Sequence, residues 1–176
     1  ETAATLLVFL FAPVFLVRIL RTRRLPPGPL RDRLDRLASR AGVHYRDVLL
    51  WHTGSTSANA LVTGVFPGLR YVLLSDLLIE TLRDEEIEAV FAHELGHIVH
   101  RHMAWFAAFL LSMTLLLGWL SVGAELLSRA VGVATAGGET VSAVLSLAVI
   151  LTSFGYLSRR IERQADVYAA RALEAP

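Results

Sequence analysis

The chain has 176 residues, of which 54% are hydrophobic and 19% are charged, and its mean hydropathy of +0.51 is high for a soluble domain of this size. These values favour a membrane protein. The absence of cysteine excludes a disulfide framework, thiolate zinc ligands and a cysteine nucleophile. A formal net charge of +1 gives no basis for nucleic acid binding.

An apolar stretch at residues 5–20 is the first candidate membrane span. It is short and contains Pro13, and its arginines follow the apolar run, whereas a signal peptide carries them in front. Because the chain begins at Glu1 without an initiator Met, we expect residues 1–24 to be a truncated N-terminal transmembrane segment. Residues 25–43 are predicted to be a proline-broken linker followed by an amphipathic helix.

Three short apolar runs, at residues 48–51, 61–65 and 71–74, are separated by Gly, Ser and Pro turns and predict strands. They precede the segment that carries the chemistry. The edge strand of such a small sheet can hold an extended peptide.

The most informative stretch is residues 93–97, with the sequence HELGH. On a helix, His93 and His97 project from one face a turn apart, and two imidazoles at that spacing can share a Zn²⁺ ion. Glu94 lies beside the pair, where it can act as the general base. Asp84 is the predicted N-cap of this helix. Its apolar stripe lies away from the histidines and consists of Ile87, Phe91, Leu95 and Ile98.

Two histidines leave zinc short of a third protein ligand. Glu162 and Asp166 are four residues apart, on one face of a predicted helix that runs towards Ala172. We expect Glu162 to bind zinc and Asp166 to accept the free N–H of a ligating imidazole. The alternative is that Glu162 is an exposed acidic residue that pairs with Arg159, Arg160 or Arg163.

The ordered set of segments resembles the HtpX-type membrane zinc metalloproteases, to which the CAAX prenyl endoproteases are related. The resemblance covers about residues 44–172 and is far more specific than HELGH alone. Its segments are NALVTG at 59–64, LLS at 73–75, DEEIEAVFAHELGH at 84–97 and IERQAD at 161–166, the last being similar to the family's Glu-x-x-Ala-Asp signature.

The resemblance implies a gluzincin in which His93, His97 and Glu162 hold one zinc ion per chain. It implies further that Glu94 is the base and that Asp166 supports a zinc ligand. It also implies that the region around Asn59 borders the substrate cleft. Asn59 is therefore a candidate substrate-binding residue, although an asparagine before a strand is also ordinary turn chemistry.

The oxyanion of the transition state needs a donor besides the metal. The candidate donors are His100, one turn beyond His97, and Arg160, with a residue outside this chain as a third possibility. His100 is alternatively a polar residue where the helix meets the membrane. A metzincin is excluded because its third ligand would be a histidine at position 103, which is Met103 here.

Residues 103–124 and 140–157 are two further candidate spans, for which a buried hairpin in a soluble bundle is the alternative. Arginines cluster on the side of the zinc segments, whereas the connection at 124–139 holds Arg129 beside two glutamates. By the positive-inside rule, the catalytic domain faces the cytoplasm.

The predicted fold is α+β and mainly α: a membrane-embedded gluzincin with a small β-sheet, an HExxH helix and about three transmembrane helices. Its expected domains are the N-terminal segment 1–24, the linker and amphipathic helix 25–43, a zincin subdomain 44–102, a two-helix transmembrane hairpin 103–157 and a third-ligand helix 158–176.

We expect a multi-pass zinc metalloendopeptidase of a bacterial inner membrane, which hydrolyses peptide bonds of membrane or misfolded proteins at the cytoplasmic surface. Its partners would be protein or peptide substrates and the lipid bilayer, with no nucleic acid, and the oligomeric state stays open. The alternative is a zinc-binding membrane scaffold or sensor-transducer without general proteolytic activity. Glu94 argues against a scaffold, because a structural zinc site needs no base. A site-2-type intramembrane protease is disfavoured because the helix before His93 is too charged.

Overall fold

A computed structural model describes residues 2–54, 56–131 and 138–174 of the chain. The elements in chain order are α1 (Thr2–Ile19), β1 (Thr22–Arg24), α2 (Pro29–Arg40), β2 (Asp47–Trp51), β3 (Ala60–Thr63), a 3₁₀ turn (Pro67–Leu69), β4 (Tyr71–Ser75), α3 (Asp76–Thr81), α4 (Asp84–Val99), α5 (His102–Val131) and α6 (Gly138–Glu174). The predicted class, mainly α with a small sheet, is confirmed.

The four strands form one mixed sheet in the order β1-β2-β4-β3. Strands β2 and β4 are parallel at its centre, and β1 and β3 pair antiparallel with them at the two edges. The central strands are buried along almost their whole length, as parallel strands usually are. The three predicted strands are confirmed to within two residues. Strand β1 was not predicted, because two of its three residues are arginines and no apolar alternation marks it.

The chain divides into two compact units, residues 1–103 with 163–176 and residues 104–162. The core of the first unit packs the sheet against α2, α3 and α4. The predicted stripe of α4 is in this core, with Ile87, Phe91 and Leu95 no more than 1% exposed. Because this side of the helix is buried, His93 and His97 on another side remain partly exposed.

The start of α4 differs from the prediction by one residue: the N-cap is Arg83, and Asp84 is the first helical residue. The main-chain N–H of Arg83 donates to Glu86 Oε2 at 2.9 Å, and its guanidinium donates to Glu86 Oε1 at 3.0 Å. The Glu86 carboxylate therefore satisfies an N–H that precedes the helix, which moves the cap to residue 83. The acidic residues of the first turn still lie at the positive end of the helix dipole.

Among the described residues, two helices are long and apolar enough to cross a membrane, His102–Ala130 and Ala143–Glu174. None of the most apolar stretch of the first is buried within the chain, and only 6% of that of the second. Their length and composition are those of membrane spans. Phe154 of α6 contacts Phe106 and Phe109 of α5, with ring centroids 5.7 and 6.1 Å apart.

The predicted first and third membrane spans can be compared with helices α1 and α6. The predicted first span falls on α1, but the side chains of residues 2–10 lie outside the described part of the chain. The predicted third span and the predicted third-ligand helix are one continuous helix, α6, which runs through position 157 without a break.

Candidate metal centre

The two histidines of the HELGH segment face each other on α4. Their Nε2 atoms are 3.2 Å apart and their ring centroids 4.9 Å apart. One carboxylate oxygen of Glu94 and one ring nitrogen of each histidine lie within 4.8 Å of one another. In the described part of the chain, these three residues form the one such group that could hold a metal ion.

The separation of the two nitrogens tests whether zinc fits. Two Zn–N bonds of about 2.0–2.1 Å at a tetrahedral angle place their nitrogens about 3.3–3.4 Å apart. The observed 3.2 Å between His93 Nε2 and His97 Nε2 agrees with that value. Nitrogen donors with a nearby carboxylate are also the ligand types that zinc prefers. The residues present therefore fit a zinc ion.

The ring nitrogen of His93 that does not face His97 is Nδ1, and it contacts the C-terminal part of helix α6. His93 Nδ1 lies 2.9 Å from Asp166 Oδ1, so the ring N–H donates to the carboxylate. This hydrogen bond leaves Nε2 of His93 as the metal-facing atom. The contact joins His93 and Asp166, both of which were predicted from the sequence as site residues. The role of Asp166 in zinc binding stays a prediction.

The ring nitrogen of His97 that does not face His93 is Nδ1. It contacts His102, a residue for which the sequence predicts no role. His97 Nδ1 lies 2.8 Å from Nδ1 of His102, the first residue of α5. Between the two residues, Arg101 adopts a left-handed conformation with φ of +54° and interrupts the helix. No helical periodicity spans such a break, so the sequence carried no signal for this contact.

Gly96 lets α6 approach the metal-binding helix closely. A Cβ added at Gly96 would lie 3.0 Å from the Cα and 3.2 Å from the carbonyl oxygen of Ala165, next to Asp166. Both Gly96 and Ala165 are fully buried or nearly so. The absence of a side chain at position 96 therefore sets the distance across which Asp166 reaches His93.

The edge strand β3 lies beside the predicted base. The main-chain N–H of Val62 donates to Glu94 Oε2 at 3.1 Å. On the opposite edge of β3, Ser75 N–H donates to the carbonyl of Asn59 at 2.9 Å. Because antiparallel pairing alternates along a strand, Ala60 and Val62 direct their main-chain groups away from β4, towards the outer edge of the sheet.

Asn59 lies at the entrance to β3 and is exposed. Its N–H donates to Ser75 Oγ at 2.8 Å, and its side-chain Oδ1 accepts from Ala60 N–H at 2.9 Å. The preceding loop is held by Asp76, whose carboxylate accepts from the N–H groups of Thr53 and Gly54 at 3.1 Å. Asn59 therefore lies at the start of the edge strand β3, and its place beside a substrate cleft and its contact with substrate both stay predictions.

Comparison with known proteins gives the family. The model of peptidase family M48 matches residues 25–176. The chain belongs to peptidase family M48. The predicted relationship to HtpX-type proteases is thereby confirmed, and it is supported by individual relatives.

This M48 chain is 30% identical over 163 residues to the protease HtpX homolog of Janthinobacterium sp. (strain Marseille), covering 84% of the chain and 53% of that protein. It is 32% identical over 108 residues to protease HtpX of Haemophilus ducreyi (strain 35000HP / ATCC 700724), covering 61% and 34%. The chain thus spans about half the length, or less, of these curated relatives.

The same fold occurs in the crystal structure of S. mikatae Ste24p. The TM-score is 0.72 at 22% sequence identity, and the match covers 97% of the M48 chain and 46% of the Ste24p chain. At this identity the likeness concerns the fold.

The remaining predicted site residues of the M48 chain are Glu162, Arg160 and His100. Glu162 is exposed on α6, one helical turn before Asp166, and Arg160 is exposed on the same helix. Both belong to the unit of residues 104–162. His100 is the C-cap of α4, where its Nδ1 donates to the carbonyl of Gly96 at 2.9 Å. Their roles as zinc ligand and oxyanion donors remain predictions.

Proposed function

We propose that this M48 chain contains the catalytic centre of a membrane-bound zinc metalloendopeptidase. The observation that carries the proposal is the convergence of His93 Nε2 and His97 Nε2, 3.2 Å apart, with the Glu94 carboxylate beside them. The two histidines would hold the metal through these atoms. Glu162 would be the third ligand, on the strength of its spacing from Asp166 and of the family resemblance.

When bound, zinc would polarise the scissile carbonyl and lower the pKa of water towards about 7. Glu94 would take the proton from the attacking water and then donate it to the leaving amine. The hydrogen bond from Val62 N–H to Glu94 Oε2 holds one oxygen of this carboxylate, so the other can face the reacting groups. His93 would be oriented with Nε2 towards the metal, because its Nδ1–H is engaged by Asp166.

The substrate is proposed to bind as an extended peptide along the outer edge of β3. The outward carbonyls of Ala60 and Val62 would accept hydrogen bonds from it as an added strand, because their N–H groups are already engaged by Asn59 Oδ1 and Glu94 Oε2. Because Val62 N–H already contacts Glu94, a peptide on this edge would pass directly in front of the base. Asn59, at the start of the strand, would border one end of the cleft.

The site is proposed to work at the cytoplasmic surface of a bacterial inner membrane, with α5, α6 and α1 as spans. Only two residues separate the end of α4 from the start of the apolar helix α5. A site so near the start of a span suits substrates that are membrane proteins or misfolded proteins. The arginine distribution supports the cytoplasmic orientation.

The decisive experiment is casein cleavage by the zinc-loaded, detergent-purified chain, beside Glu94→Gln and a matched control, Glu85→Gln. Glu85 is exposed in the first turn of the same helix. We expect Glu94→Gln to retain stoichiometric zinc and lose activity about 10²–10⁴-fold, while Glu85→Gln cuts as the wild type does. A wild type that binds zinc but cuts neither casein nor itself would favour the scaffold instead.

A further inference from the structure

His102 is a buried histidine in contact with a proposed zinc ligand. It is 2% exposed, and its Nδ1 lies 2.8 Å from His97 Nδ1. On its other side, His102 Nε2 lies 3.2 Å from Gln164 Oε1 on α6. A continuous row of hydrogen bonds thus leads from His97 through His102 to Gln164.

The direction of each hydrogen bond follows from the metal-facing atom. If His97 binds zinc through Nε2, its proton lies on Nδ1, and His102 Nδ1 must accept it. The proton of neutral His102 then lies on Nε2, from which it is donated to Gln164 Oε1. The amide oxygen of Gln164 therefore selects the tautomer of His102 that can accept from His97.

The main chain places His102 for this contact. Arg101 adopts φ of +54°, a conformation that is costly for a residue with a side chain. This single left-handed residue ends α4 and lets α5 start at His102, with the imidazole directed back towards His97. The ring of His102 also stacks on His100, with centroids 5.5 Å apart and an angle of 18° between the planes.

We propose that His102, with its tautomer selected by Gln164, is the positioning residue of the zinc ligand His97. The two ligand histidines are then supported in different ways. His93 donates to a carboxylate, whereas His97 donates to the imidazole of His102, which in turn donates to the amide oxygen of Gln164. This inference rests on the proposed zinc site. It assigns His102 and Gln164 a role in holding metal, not in contacting substrate.

The test measures zinc affinity by chelator competition on the full chain in detergent. His102→Phe keeps a ring in the buried site but removes the acceptor for His97, and we expect about 10–100-fold weaker zinc binding. Gln164→Leu, at an exposed position, should weaken it about tenfold. His102→Asn is the rescue variant, since its Oδ1 can take the place of Nδ1 and accept from His97. His44→Phe, at an exposed histidine, is the matched control.

A second readout separates positioning from a packing role. In the Co²⁺-substituted protein, the visible spectrum reports ligand geometry, and it should change in His102→Phe and return towards the wild type in His102→Asn. Loss of packing alone would lower the melting temperature of both variants and leave the metal affinity of the folded fraction unchanged.

The outcomes are distinct. If the wild type binds zinc stoichiometrically and both His102→Phe and Gln164→Leu bind it within about twofold of the same affinity, this inference is wrong while the zinc site stands. If the wild type binds no zinc, the proposed function fails as well. Should His102→Phe fail to fold, the comparison of Gln164→Leu with the wild type decides.

Discussion

Asp166 Oδ1 accepts the Nδ1–H of His93 at 2.9 Å and so connects two helices whose contacting residues are 73 positions apart in the chain. The hydrogen bond orients the imidazole before any metal arrives. It also brings the part of α6 that carries Asp166 to the histidine pair of α4.

Weakening this hydrogen bond is expected to lower metal affinity. Asp166→Asn keeps an acceptor without the charge and should bind zinc about tenfold more weakly, and Asp166→Ala about 100-fold more weakly. Chelator competition measures both. Asp32→Asn, at an exposed position of α2, controls for loss of a carboxylate elsewhere. Equal affinity of Asp166→Ala and the wild type would contradict the role of Asp166.

A side chain at Gly96 is expected to push α6 away from α4. The Cβ of Gly96→Ala would meet main-chain atoms of Ala165 at 3.0 and 3.2 Å, and Gly96→Val would clash more severely. Overpacking of this kind costs about 1–3 kcal/mol. We expect a lower melting temperature and weaker zinc binding, both larger for Val than for Ala. A Gly118→Ala control, in α5 where no heavy atom lies within 4 Å, should change neither.

Ser75 connects the edge strand to the start of α3, so its hydroxyl should matter for stability. The buried Oγ accepts from Asn59 N–H at 2.8 Å and from Leu78 N–H at 3.3 Å. Ser75→Ala leaves both donors without this acceptor and should cost about 1–3 kcal/mol. Thermal unfolding in detergent checks the loss against Ser39→Ala, an exposed serine of α2. Equal melting temperatures of the two variants would refute the prediction.

The start of α4 should give a pH-dependent contribution to stability. The side chain of Arg83, and then its main-chain N–H, lower the pKa of Glu86 by hydrogen bonding to the carboxylate. Since the folded-state pKa lies below the unfolded-state value of about 4.3, this stabilisation is present above that pH and is lost as the pH falls through the lower pKa. Melting curves of wild type and Glu86→Gln should differ at pH 7 and converge in acid. A difference that is constant with pH would contradict the assignment.

The orientation of the chain can be tested with single cysteines, because its 176 residues contain none. Glu125→Cys, near the end of α5, should react with an impermeant maleimide applied to intact spheroplasts. Glu85→Cys, in the first turn of α4, should react only after lysis. The reverse pattern would place the metal centre outside the cytoplasm. Reaction of both from outside would contradict a membrane span between them.

Local regularities explain what could be read without the structure. The spacing of His93 and His97 is a property of any helix, so a correct helix prediction already brought both imidazoles to one face. Burial of Ile87, Phe91 and Leu95 followed from the same periodicity. The lengths of the apolar runs indicated α5 and α6 for a comparable reason, since a bilayer sets the length of a span.

By itself, therefore, the sequence determined the helices, the main strands, the histidine pair and, through the family resemblance, its link to Asp166. Only the tertiary structure decided which residues on different helices and strands come into contact. His102 reaches His97 because Arg101 turns the chain, and Val62 reaches Glu94 because an edge strand packs beside α4. Such contacts depend on the packing of several elements at once, and no spacing along the chain encodes them.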